Sequence, residues 1–176
     1  MMNWLPKIML LLLLFFVLPA HAESLNKSNK HDSTLPIEVL ADQLEVKQDE
    51  NKAIFRGNVD ALQGDMLLRA DILIVYYKNN NKNPDQPGIS SIDASGNVFV
   101  SSPTETAKGN NGIYDVDKSK IVLVGDVILT QGENVIKGEY LEMNLVTGES
   151  LVSRGPKNSA GKDRVRGLFI PDRKKE

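Results

Sequence analysis

Three stretches of this chain share one pattern: "IFRGNVDAL" at 54–62, "IDASGNVFV" at 92–100 and "IVLVGDVIL" at 121–129. Counted from the glycine, positions −4, −2, +2 and +4 are apolar in every copy. They are Ala53, Phe55, Val59 and Ala61, then Ile92, Ala94, Val98 and Val100, then Ile121, Leu123, Val127 and Leu129. Polar residues such as Arg56, Asn58, Asp60, Ser95, Asn97 and Asp126 fall between them. Successive side chains of a strand point to opposite faces, so this period of two predicts strands with one interior face. The glycine shares the apolar phase and is expected on that interior face, marking a bend, a bulge or a close backbone approach. The intervening strands read likewise, with Leu44 and Val46, then Leu73, Val75 and Tyr77, then Tyr114 and Val116, then Leu141, Met143 and Leu145 on the apolar phase. The opposite face is less clean, carrying Ile72, Ile74, Phe99 and Ile128.

The pattern recurs at a fixed distance. Gly96 to Gly125, Gly109 to Gly138 and Ala41 to Ala70 are each 29 residues apart, while Ala70 to Gly109 is 39. The extra ten coincide with "NNNKNPDQPG" (79–88), a loop insertion on one turn. Turn signals such as "QDEN", "QGD", "DKSK", "QGE" and "TGES" punctuate the rest, and no helical period appears between 35 and 171. Units of about 29 residues that cannot bury their own apolar face are expected to stack. The expectation is an all-β domain over 35–171 with two antiparallel sheets facing each other across an apolar interior. A sandwich, a jellyroll and a β-solenoid all satisfy it.

Outside that region the composition shifts. Lys7, the eleven apolar residues "IMLLLLLFFVL" (8–18) and Ala20-His21-Ala22 have the order of a secretory signal peptide cleaved after Ala22. Eleven residues are short for a membrane span of about twenty. Residues 23–34 are polar and patternless, which predicts a flexible lead-in, and 172–176 form a charged tail. Loss of Lys7 with the signal takes the formal charge from −2 to −3, giving no general case for nucleic acid. The chain has no cysteine, hence no disulfide framework and no lipid-anchoring thiol.

Candidate chemistry is sparse. His31 would be the one histidine after cleavage, too few for a histidine metal site or a triad. "DVDKSK" (115–120) opens like a calcium loop but has Lys120 and Asp126 where glycine and glutamate belong. Asp42, Asp65 and Asp71 recur with the repeat, whereas catalytic carboxylate pairs are normally single. The expectation is therefore no catalytic residue, no metal and no cofactor. The apolar interior is either a filled core or a concave site for an elongated apolar ligand. Ala53, Ala61 and Ala94 leave room among its inward positions. Stacked strands also leave open edges that pair with other chains, at 35–43 in front and at 163–172 behind.

Four phrases, "PIEVLADQLEV" (36–46), "FRGNVDALQGDMLLRADIL" (55–73), "LVGDVILTQGENVIKGEYLEMNL" (123–145) and "RVRGLFIP" (164–171), resemble in order the LptA/OstA-like family of lipopolysaccharide-transport proteins. The resemblance spans about 35–171. It implies an elongated, twisted β-jellyroll without catalytic activity, located in the periplasm, that holds lipopolysaccharide acyl chains between its sheets and bridges inner and outer membranes. It implies a groove lined by Leu44, Val46, Phe55, Val59, Leu73, Val75, Val98, Val100, Tyr114, Leu123, Val127, Leu129, Leu141 and Met143. It also implies end-to-end strand pairing. Ile37 and Val39 would face an inner-membrane LptC-like partner, and Val165, Leu168 and Ile170 would form the back edge, meeting an outer-membrane LptD-like partner or another copy. The same domain opens the longer LptD, and a chain ending after one domain is expected to be the soluble bridge. Gly112 departs from the pattern, standing where other units have Leu73 and Leu141.

Overall fold

A computed structural model describes residues 31–78, 88–155 and 164–171. The signal segment, residues 23–30 of the lead-in, the loop insertion except Gly88 and the C-terminal tail expected from sequence lie outside the described residues. The described chain is all strand: β1 (Glu38–Leu40), β2 (Gln43–Lys47), β3 (Lys52–Gln63), β4 (Met66–Lys78), β5 (Gly88–Ser101), β6 (Glu105–Asp115), β7 (Lys120–Gln131), β8 (Asn134–Asn144), β9 (Ser150–Ser153) and β10 (Arg166–Leu168). All pair antiparallel in one sheet of order β1-β3-β4-β5-β6-β7-β8-β10, with β2 also on β3 and β9 also on β8.

The six long strands each cross a break in register, and the breaks align. Between β3 and β4 the pairing jumps from Arg56↔Ile72 to Val59↔Ala70, so Gly57 and Asn58 oppose the single residue Asp71. Gly96-Asn97 likewise opposes Asp71 on β4 and Asn110 on β6, and Gly125-Asp126 opposes Asn110 and Glu139. Each is a bulge, which bends the strand and raises its twist. The bulges form a crease that folds one sheet into two walls. Wall one holds β1, 59–63, 66–70, 98–101, 105–109, 127–131, 134–138 and β10. Wall two holds β2, 52–56, 72–78, 88–95, 111–115, 120–124, 140–144 and β9. The two facing sheets expected from the alternation are thus halves of the same strands.

At each bulge two consecutive residues are left-handed: Gly57 (φ 78°) with Asn58 (45°), Gly96 (78°) with Asn97 (48°), and Gly125 (85°) with Asp126 (48°). Glycine occupies this region freely, and Asn and Asp tolerate it better than other residues. A close contact adds a second reason. A Cβ on Gly125 would lie 2.7 Å from Asn110 Nδ2, and one on Gly96 or Gly57 would overlap the carboxylate of Asp71 or Asp42. The glycine therefore faces an exposed polar partner and not the interior, contrary to its phase in the sequence, because the left-handed pair turns its Cα away from the alternation. The same partner grips the second bulge residue. Asn58 Nδ2 donates to Asp42 Oδ2 (3.0 Å), Asn97 Nδ2 to Asp71 Oδ2 (2.9 Å) and Asn110 Nδ2 to Asp126 Oδ2 (3.2 Å). In the third copy amide and carboxylate have exchanged places and the bond survives.

Inward residues run in rows across both walls. One row of wall two is Leu44, Phe55, Leu73, Ala94, Gly112, Leu123, Leu141 and Val152, and the next is Val46, Ala53, Val75, Ile92, Tyr114, Ile121 and Met143. The row of wall one nearest the crease alternates Val59, Ala70, Val98, Gly109, Val127 and Gly138. Small residues belong there because the walls converge: a Cβ on Gly109 would lie 3.2 Å from Leu123 Cβ, and one on Gly138 2.6 Å from Val152. At Gly112 the missing side chain is replaced by Leu123, whose Cδ2 occupies the space 2.7 Å from a Cβ there. The rows pack into one continuous buried cluster drawn from both walls. At the C-terminal end, the strand expected over 163–172 is shorter, only Arg166–Leu168.

Substituting Gly96→Ala should lower unfolding stability by about 1–3 kcal/mol, from left-handed strain and overlap with Asp71. Adding Asp71→Ala to the same chain should recover part of the loss. A Gly96→Ala variant with an unchanged urea midpoint would show that the crease does not need glycine there.

Candidate functional site

The walls diverge from the crease to a lip formed by their turns. Wall one contributes the turns after Gln63 and Ser101, and wall two those after Asp115 and Asn144. Of the groove-lining candidates, Val59, Leu73, Val75, Val98, Val100, Tyr114, Leu123, Val127, Leu129, Leu141 and Met143 lie together in the buried cluster, each at most 2% exposed. The structure therefore brings them together as a packed interior, closed in this conformation. Phe55 is half-buried. Leu44 and Val46, expected inside, are 55% and 59% exposed. They share the inward rows with Phe55 and Ala53, but β2 is an edge strand with no further strand to cover it. These residues make an apolar mouth at the N-terminal end.

The partner-edge residues sit where the sheet stops. Val39 lies on β1 and Ile37 just before it, both half-buried against the cluster. Val165, Leu168 and Ile170 are exposed, and Phe169 between them is 67% exposed. Leu40 beside the front edge is also exposed. Both ends of the sheet thus present apolar side chains beside strands paired on one side only.

Gln63, His31 and Ser33, which sequence reasoning did not single out for this site, meet the expected lining residue Tyr114 at the lip. Gln63 ends β3 on wall one and is 1% exposed. Its Nε2 donates to the carbonyls of Ser33 (2.9 Å) and Leu35 (2.8 Å). That orientation turns Oε1 to Tyr114 of wall two, whose hydroxyl donates to it at 2.8 Å. With the Tyr114 proton so used, His31 Nε2 is the donor at the apex, 2.9 Å from the Tyr114 oxygen and 3.1 Å from Gln63 Oε1. Burial pushes the Tyr114 phenol up, keeping it a donor, and holds the His31 imidazole below its ordinary range. Gln63 was legible in principle, since it continues the apolar phase of Val59 and Ala61 as a polar residue. His31 and Ser33 carry no local signal.

Residues 31–34, the described end of the lead-in, lie across this lip together with Leu35 and Pro36. Asp32 Oδ1 accepts from the Thr34 amide (3.0 Å) and hydroxyl (2.6 Å), closing a local turn. The His31 amide donates to the Leu145 carbonyl (3.3 Å), and Ser119 Oγ meets Ser33 Oγ at 3.0 Å. A cleft of about 250 Å³ runs beside it, lined by Asp65, Met66, Pro103, Glu105 and Leu145 among others. Beneath it a void bounded by Ile37, Met66, Ile92 and Tyr114 leaves no room for a water. No cluster of three or more metal-ligating side chains occurs among the described residues.

Residues 38–149 match the family model described as the LptA/(LptD N-terminal domain) LPS transport protein, a stretch covering nearly all the paired strands. The chain belongs to this family. Among curated relatives, an uncharacterised protein of Rhizobium meliloti (strain 1021) is 39% identical over 118 residues, 65% of this chain and 63% of that protein. The LPS-assembly protein LptD of Salmonella choleraesuis (strain SC-B67) is 29% identical over 122 residues, 69% of this chain but only 13% of LptD. The chain thus spans less than two thirds of the length of these relatives. The fold of LptH, described as the LptA homologous periplasmic component of the lipopolysaccharide transport device of Pseudomonas aeruginosa, superposes with a TM-score of 0.69 at 20% identity. That likeness covers 80% of this chain and 99% of LptH. The creased all-β sheet is the jellyroll of the LptA/LptD N-terminal family.

Proposed function

We propose that this chain is a periplasmic lipopolysaccharide-binding bridge protein that carries lipopolysaccharide from the inner toward the outer membrane, with acyl chains held between its two walls. The observation that carries the reading is the continuity of the inward rows with an exposed apolar mouth, Leu44 and Val46 beside Phe55, in a chain of a transport family. Each methylene moved from water into such a row gains about 0.8 kcal/mol, so several acyl chains outweigh the cost of ordering them. Opening the walls exchanges side-chain contacts for acyl contacts of the same chemistry. No proton transfer or nucleophile is required.

The packed interior favours a second reading, a non-catalytic scaffold with a filled core. A photoreactive phenylalanine analogue separates the two. Placed at Phe55 or Leu44 it should crosslink lipopolysaccharide. Placed at Ile113, apolar and 50% exposed on the outer face, it should not. Equal labelling at Ile113, or none at Phe55 and Leu44, would favour the filled scaffold.

The two edges support strand pairing with β-jellyroll partners, LptC-like at the front and LptD-like behind, and head-to-tail self-association. Leu168→Asp places a charge on the back edge without touching the core, since Leu168 is 61% exposed. It should weaken self-association by about tenfold, equivalent to about 1.4 kcal/mol, in sedimentation equilibrium. Identical association of parent and variant would remove this edge from the contact.

A further inference from the structure

We infer that residues 31–36 are a displaceable strap that closes the groove, so that an acyl chain enters only after the strap leaves the lip. The inference rests on the lipid reading above and adds its control element. Its first support is position. Gln63 and Tyr114 come from opposite walls, and their hydrogen bond is the lip's direct closure. The strap lies on that bond, with Ser33 and Leu35 carbonyls taking both Gln63 amide protons and His31 capping the Tyr114 hydroxyl. It ties to wall two again through Ser119 and the Leu145 carbonyl. The strap is bonded to Gln63 of wall one and to Tyr114, Ser119 and the Leu145 carbonyl of wall two, so separating the walls with the strap in place would break its bonds to one of them as well as the Tyr114–Gln63 bond.

The second support is the kind of bond. The strap is held by hydrogen bonds and little apolar burial: Asp32, Thr34, Leu35 and Pro36 are all exposed. Every long strand pairs with its neighbours independently of it. Releasing it costs the walls no strand pairing, and the Gln63 amide freed at the lip can bond to water. A segment bound this way can be exchanged for a ligand, whereas a core strand cannot.

The chain has no cysteine, so an engineered pair is selective. Ser33→Cys with Ser119→Cys replaces hydroxyls 3.0 Å apart, close enough for a disulfide to lock the strap to wall two. The full chain carrying both would be titrated with fluorescently labelled lipopolysaccharide, oxidised and then reduced, with strand content checked by circular dichroism. The strap predicts binding at least about tenfold weaker when oxidised, restored to the parental value by reduction. A complementary variant, Gln63→Ala, removes the anchor and should take up the label faster than the parent. Equal binding in oxidised and reduced forms overturns the strap and leaves the lipid reading standing. Absence of binding in every form, the parent included, overturns both.

Discussion

One backbone constraint organises this molecule: two consecutive left-handed residues in the middle of each of three long strands. A strand that kept its alternation through Gly57-Asn58 would run straight, and the sheet would stay open with its apolar rows in water. The bulge bends it, and the aligned bulges of β3, β5 and β7 bend the whole sheet along one line. The interior follows from that line. Small residues, Ala70, Gly109 and Gly138, stand where the walls converge, and larger ones, Tyr114, Ile92 and Met143, stand further out. The exposed amide–carboxylate bonds beside each bulge hold its second residue in the unusual conformation. Their exchange of partners between Asn97–Asp71 and Asn110–Asp126 shows that the bond, not the order of residues, is what the position requires.

A creased sheet differs from a two-sheet sandwich in how it can move. Its walls share every long strand, so they cannot slide past one another, but they can swing about the crease. Among the described residues, the hydrogen bonds that close the opposite side are the Gln63–Tyr114 bond and those of the strap laid over it, above the apolar packing of the interior. The walls are thus joined covalently along one side and by non-covalent contacts along the other. An opening about the crease would leave the strand pairing intact, as the proposed carrier of long apolar chains requires.

The inward rows were legible in the sequence because period two reports the face of a strand directly. Depth was not: Leu44 and Val46 have the right phase, yet they are exposed because β2 is at an edge, and phase says nothing of whether a neighbour covers a residue. The glycines announced a bulge or close approach, but their orientation was misread, since the left-handed pair interrupts the alternation used to assign it. The position of residues 31–36 on the lip was not legible, because they are held through the backbone carbonyls of Ser33 and Leu35 by a glutamine 30 and 28 residues away. Only Gln63, a polar residue in apolar phase, hinted at it. The proposed cargo rests on the family phrases and not on spacing.

The central claim is that the walls swing apart about the crease to admit lipid. Spin labels at Asp65 on the wall-one lip and Thr147 on the wall-two lip, both in exposed turns, would report the separation by pulsed dipolar spectroscopy. The account predicts a longer distance when lipopolysaccharide is added, with the distance between labels at Lys108 and Lys137, both exposed on wall one beside the crease, unchanged. A lip distance unaltered by saturating lipopolysaccharide would contradict it.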